Sequence, residues 1–202
     1  NTTDFGLKSF LETLDFTVDM LWIRDRDGGP DKYTARLQAA RLIVFSPNTD
    51  WSDYSNAGNH AKWDALETPQ LVLNSDLTSS RAFRWANISS TSSVYGNVIV
   101  DEDQDFIYKD TGLTTGSQVQ VTSNNRATYR AYRTTSFSTN GTVVSRVWDN
   151  SPSRRYPLHV RWAAGTPFYP GGATPAGDRL LFPVPGGGTA ALNDMGRELF
   201  TN

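Results

Sequence analysis

The 202-residue chain has no cysteine, many aromatics (10 Phe, 8 Tyr, 6 Trp) and only four Lys and four Glu. This excludes disulfide frameworks, thiolate zinc sites and cysteine nucleophiles, while the length suffices to bury a core without staples. The net charge of −2 hides a split: 17 acids and 10 bases in residues 1–110, against 4 acids and 9 bases, all Arg, in 111–202. Such a split suits head-to-tail contact between copies or one face meeting an anion, unless the fold intermixes the halves. No apolar run approaches the roughly 20 residues of a membrane span. The chain opens on Asn1 with no signal-peptide pattern, as expected of a processed, excised or trimmed polypeptide.

In chain order, FGLKSFLETL at 5–14 predicts a short helix, with Phe5, Phe10 and Leu14 near one face. Phe16 to Arg24 reads as a strand and stops at Asp-Arg-Asp-Gly-Gly-Pro-Asp, residues 25–31, a strong turn signal. Tyr33 to Phe45 is a second extended stretch, ended by Pro47. Residues 46–70 form a long polar connection with a helical turn at His60 to Glu67; loops of this length are usually functional or interfacial. Short strands are expected at 71–73 and 82–86, a clearer one from Ser92 to Val100, and a continuation from Asp105 to Lys109.

The second half is more regular. Gln118 to Thr122, Ala127 to Phe137 and Thr142 to Trp148 alternate in polarity, and Asn140-Gly141 between the last two predicts a hairpin. Tyr156 to Ala163 is another strand, followed by a Gly/Pro-rich extension from about 165 that contains the strand RLLFPVP and a helix from Thr189 to Phe200. The expectation is a single all-β domain over 1–202: a jelly-roll-like β-sandwich of about eight strands with long loops and minor short helices.

Residues suited to catalysis are sparse. His60 and His159 are the only histidines, and neither an HExxH motif nor a Gly-x-Ser-x-Gly elbow is present. The four glutamates are scattered, so no carboxylate pair suggests glycoside cleavage. The chain therefore reads as a non-enzyme. Two acidic runs, Asp25/Asp27/Asp31 and Asp101/Asp103/Asp105 with Glu102, are candidate Ca²⁺ ligands, although neither follows EF-hand spacing. The 101–105 run repels itself unless an Arg or a cation lies beside it. Arg126, Arg130, Arg133, Arg146, Arg154, Arg155 and Arg161 crowd a segment with a single acid, Asp149. These arginines are candidates for subunit or anion contact, because the planar guanidinium makes paired hydrogen bonds to carboxylate or phosphate. Trp51, Tyr54 and Trp63 in the long loop are candidates for stacking on sugar rings, or for capping the core beneath the loop.

Three short segments carry a resemblance. RLIVFSPN at 41–48, Thr68-Pro-Gln-Leu-Val-Leu-Asn74 and Tyr95-Gly-Asn-Val-Ile-Val-Asp101 look like successive parts of single jelly-roll capsid proteins of small satellite RNA viruses and circular single-stranded DNA viruses. The resemblance covers roughly residues 16–110. It implies a self-assembling shell subunit of a virion, present in many copies, with edge and loop residues making subunit contacts. The chain departs from the family in lacking an N-terminal basic arm, so genome contact would need a segment outside it. The extension from Gly165 also has no counterpart. The alternative expectation is a carbohydrate-binding β-sandwich of a secreted or surface protein, with a host glycan as partner.

Overall fold

The computed structural model describes residues 2–88, 91–123, 128–132, 137–148, 155–185 and 188–202. The chain opens with helix α1, Thr2–Glu12, which turns Leu7 and Leu11 inward at helical spacing and carries Asp4 in its first turn, where the helix dipole favours an acid. After the left-handed Asp15 the chain runs without helix or strand to Arg24, then makes 3-10 turns at Asp25–Asp27 and Gly29–Tyr33. Helix α2, Thr34–Ala39, and strand β1, Ile43–Phe45, follow. Helix α3, Ala57–Asp64, is capped by the Asn56 side chain, which accepts from the Gly58 amide, and leads to strand β2, Gln70–Val72. Helix α4, Ser75–Thr78, precedes strands β3, Thr91–Tyr95, and β4, Asn97–Val100. Beyond these come β5 (Gln118–Val119), β6 (Thr128–Tyr132), β7 (Thr142–Trp148), β8 (Arg155–Trp162), β9 (Arg179–Leu181) and helix α5 (Asp194–Thr201).

Seven strands form one mixed sheet in the order β1-β2-β9-β8-β7-β4-β5, and β3 pairs with β6 in a second, two-stranded sheet. The architecture is mostly β, as the composition led us to expect. The parallel pairing of β1 with β2, and of β2 with β9, was not anticipated. Parallel neighbours need a crossover, and α3 supplies one between β1 and β2, a βαβ unit hidden inside what reads as a polar loop.

Four strand expectations fail, each for a physical reason. Phe16 to Arg24 has no ladder partner among the described residues. Tyr33 to Phe45 is mostly helix and turn, with only three residues of strand. Residues 82–86 are buried turns, where the amides of Ala82 and Phe83 bond to Ser79 and Leu77. Asp105 to Lys109 is coiled on itself, the amides of Tyr108 and Lys109 both donating to the Asp105 carbonyl. The expected Ser92–Val100 strand is cut at Gly96, whose φ of 148° lets the chain leave the small sheet for the large one.

Asn140-Gly141 does not join a hairpin, since β6 lies in the small sheet and β7 in the large one. The Asn140 amide and the Thr139 hydroxyl both donate to the Phe168 carbonyl, so long-range bonds override the local turn preference. β7 pairs antiparallel with β4 on one side and β8 on the other, and the β7–β8 register slips near Ser145.

Both faces of the large sheet are covered. Leu71 and Leu73 enter one apolar cluster with α1, α5 and the small sheet, while Val72 between them enters the other. The second cluster is strongly aromatic. Phe45, Tyr54, Trp63 and Phe83 meet with ring centroids 4.9 to 5.9 Å apart, and Trp85, Trp162 and Phe168 extend the group.

Candidate functional site

The described arginines of the basic half are paired mainly within the chain. Arg130 grips Asp76 with two bonds of 3.0 and 3.1 Å, Arg146 lies 2.6 Å from Asp101, and Arg161 donates to Asp105 at 2.9 Å. Each pair joins an acid from the first half to a base from the second, so the fold intermixes the charges and weakens a head-to-tail field. Arg155 opens β8, is exposed, and acts on Asp101 electrostatically. Burial raises the Asp101 pKa even beside Arg146. Arg126, Arg133 and Arg154 lie outside the described residues.

The pairs differ in depth. Asp105 has a side chain only 1% exposed, whereas both Arg130 and Asp76 touch solvent. Arg161→Ala should therefore cost about 2–3 kcal/mol by stranding a buried carboxylate. Arg130→Ala should cost under about 1 kcal/mol. Urea midpoints of the two variants check this, and equal losses would contradict it.

The acidic runs are used inside the fold. Asp25 accepts from the Asn56 amide (2.7 Å) and the Asn59 side chain (3.1 Å), Asp27 pairs with Arg24, and Asp31 with Lys62. Asp103 accepts from the Thr115 amide, which lowers its pKa. Among the described residues no group of three or more His, Cys, Asp or Glu is placed to hold a metal ion. In both runs the carboxylates face separate partners within the chain.

The loop aromatics cap the core. Tyr54 and Trp63 are buried, and the Tyr54 hydroxyl donates to the Ile23 carbonyl at 2.6 Å. Trp51 is half-buried beneath the Arg81 guanidinium. The two histidines are also internal. His60 Nε2 contacts the Tyr54 carbonyl at 3.1 Å. His159 Nδ1 lies within hydrogen-bond distance of both Ser145 Oγ (2.8 Å) and the Tyr108 hydroxyl (3.1 Å), with its ring stacked on Phe182. Among the described residues no carboxylate orients this Ser–His contact, and both residues are sealed from solvent.

Two features escaped the sequence reading. One is Arg179 at the head of β9, which is fully buried. Its Nη2 donates to the carbonyls of Trp63, Asp64 and Leu66 at 3.2, 3.2 and 2.8 Å, and its Nη1 to those of Thr68 and Asp178 at 3.3 and 3.0 Å. A guanidinium thus bonds to the carbonyls where α3 ends, two of which (Trp63 and Asp64) also accept from the Gln70 side chain and the Ala176 amide, and it complements the negative end of the helix dipole. Gly177 is required here, since a Cβ would lie 2.1 Å from the Glu67 carbonyl. Burial lowers Arg179 to about 10 and raises neighbouring Asp64 to about 7, against the pull of Arg179. The only sequence signal was a lone cation entering an apolar run.

The other missed feature is the 16–24 segment. Residues 17–22 make no backbone hydrogen bond with any described residue. Val18 packs on one cluster, Leu21 and Ile23 on the other, while Phe16, Met20 and Trp22 face solvent. Trp22 is 72% exposed, with the Arg24 guanidinium 5.6 Å from its ring, and Arg36 ties Asp19 to α2.

No family model matches the chain, and no curated protein or solved structure matches it either. No helix among the described residues is long and apolar enough to cross a membrane.

Proposed function

We propose that this chain is a structural subunit whose work is to bind copies of itself. The observation that carries the reading is the presentation of Phe16, Met20 and Trp22 to solvent from a segment without ladder partners. Exposed apolar side chains gathered in one place mark association surfaces, and Trp beside Arg is the pairing enriched at their energetic centres. The groups suited to acid–base chemistry lend indirect support, since His60, His159, Ser145 and Asp64 are all buried.

The shell-protein form of this reading, a jelly-roll sandwich in a virion, draws on the segments at 41–48, 68–74 and 95–101. Jelly rolls pair their strands antiparallel, and the parallel set β1, β2 and β9 departs from that pattern. The proposal therefore rests on the surface and not on the fold. The carbohydrate-binding alternative is less favoured, because Tyr54 and Trp63 are core residues.

Light scattering coupled to size-exclusion chromatography, with negative-stain imaging, tests the reading. The wild type should form oligomers or particles at micromolar concentration. Trp22→Ser should weaken association at least about thirtyfold, as removal of a central Trp does. A wild type that stays monomeric throughout would sink the proposal.

A further inference from the structure

Resting on that self-association reading, we infer that the segment 17–22 is an unpaired strand that completes itself by pairing antiparallel with the same segment of a second copy. Three observations point there. The sequence Phe-Thr-Val-Asp-Met-Leu-Trp-Ile at 16–23 is rich in strand-forming residues, and exposure alternates from Met20 to Ile23, outward at 20 and 22 and inward at 21 and 23. No described residue from 16 to 24 has a positive φ, so the backbone can enter a ladder without reversal. Among the described residues the amides and carbonyls of 17–22 have no backbone partner, and a row of such backbone groups on an apolar strand is a template for another strand.

The occupant is a second copy on grounds of area. Taking whole side chains as about 150–250 Å², the fractions exposed at Phe16 (44%), Met20 (46%) and Trp22 (72%) amount to roughly 350 Å² per copy. Two copies meeting there bury twice that from three side chains each, and the ladder backbone brings the total toward the roughly 1,000 Å² of a specific interface. Antiparallel self-pairing is a closed two-fold contact: each arm supplies what the other lacks, and the pair leaves no second arm free.

Hydrogen exchange on the unmodified chain across a dilution series tests this, with oligomeric state measured in parallel by sedimentation. In the associated state the amides of 17–22 should exchange at least tenfold more slowly than after dilution to monomer, in step with the dimer fraction. Association with these amides still exchanging freely would overturn the strand pairing and leave self-association standing. A monomer at every concentration would overturn both, and leave the arm to a partner of different chemistry.

Discussion

Replacing Arg179 with Met should cost at least about 4 kcal/mol, a large part of the roughly 5–15 kcal/mol that holds a domain folded. The volume is nearly kept, so the loss comes from carbonyls rather than from a cavity. Those of Leu66 and Thr68 lose their donor in the interior, where unpaired acceptors are expensive, while those of Trp63 and Asp64 keep bonds from the Gln70 side chain and the Ala176 amide. Arg179→Lys keeps the charge but cannot span five carbonyls with one ammonium, and it should lose about half as much. Urea unfolding with unchanged slope and shifted midpoint is the measurement. A Met variant within about 1 kcal/mol of wild type would show that α3 needs no clamp.

The second large effect is in pH. Burial pushes His159 down to about 3. Between that value and about 6.5 the unfolded chain takes up a proton that the fold refuses, so His159 supports the fold above pH 6.5 and this support is lost as pH falls. Asp64 works in the opposite sense. Its carboxyl, pushed up to about 7, keeps a proton that the unfolded chain releases above about 3.9. Its contribution is present at low pH and is lost as pH rises through 7. Between pH 4 and 7 each contribution is roughly 3–4 kcal/mol, and they offset one another. Relative to wild type, Asp64→Asn should become more acid-sensitive by about that amount, and His159→Gln less so. Variants whose stability follows the wild-type pH profile would refute both assignments.

Much of the core was legible where local preference and tertiary environment agree. Thr142–Trp148 is a strand over the span its alternation indicates, and the tail and residues 5–14 contain the expected helices. The self-repulsion of residues 101–105 implied a nearby cation, and Arg146 and Arg161 are there. Local signals failed where a distant partner outweighed them. Asn140-Gly141 is the clearest example, diverted by the Phe168 carbonyl.

The candidate site was less legible, because solvent exposure and pairing depend on residues far apart in the chain. For Trp51, Tyr54 and Trp63 the surrounding polar loop left both a sugar-stacking platform and a core cap open, and burial of Tyr54 and Trp63 favours the cap, with Trp51 at its margin. Phe16 to Arg24 reads as a strand, yet no described strand runs alongside it.

By itself the sequence determined a cysteine-free, aromatic-rich, mostly β chain with few groups suited to catalysis, because composition and two-residue periodicity act locally. The tertiary structure decided which strands run parallel, that acids of the first half neutralise arginines of the second, and that Arg179 is buried while Trp22 is exposed. Those outcomes depend on contacts between residues up to a hundred or more positions apart, as Arg179 and Trp63 are, and no local pattern encodes them.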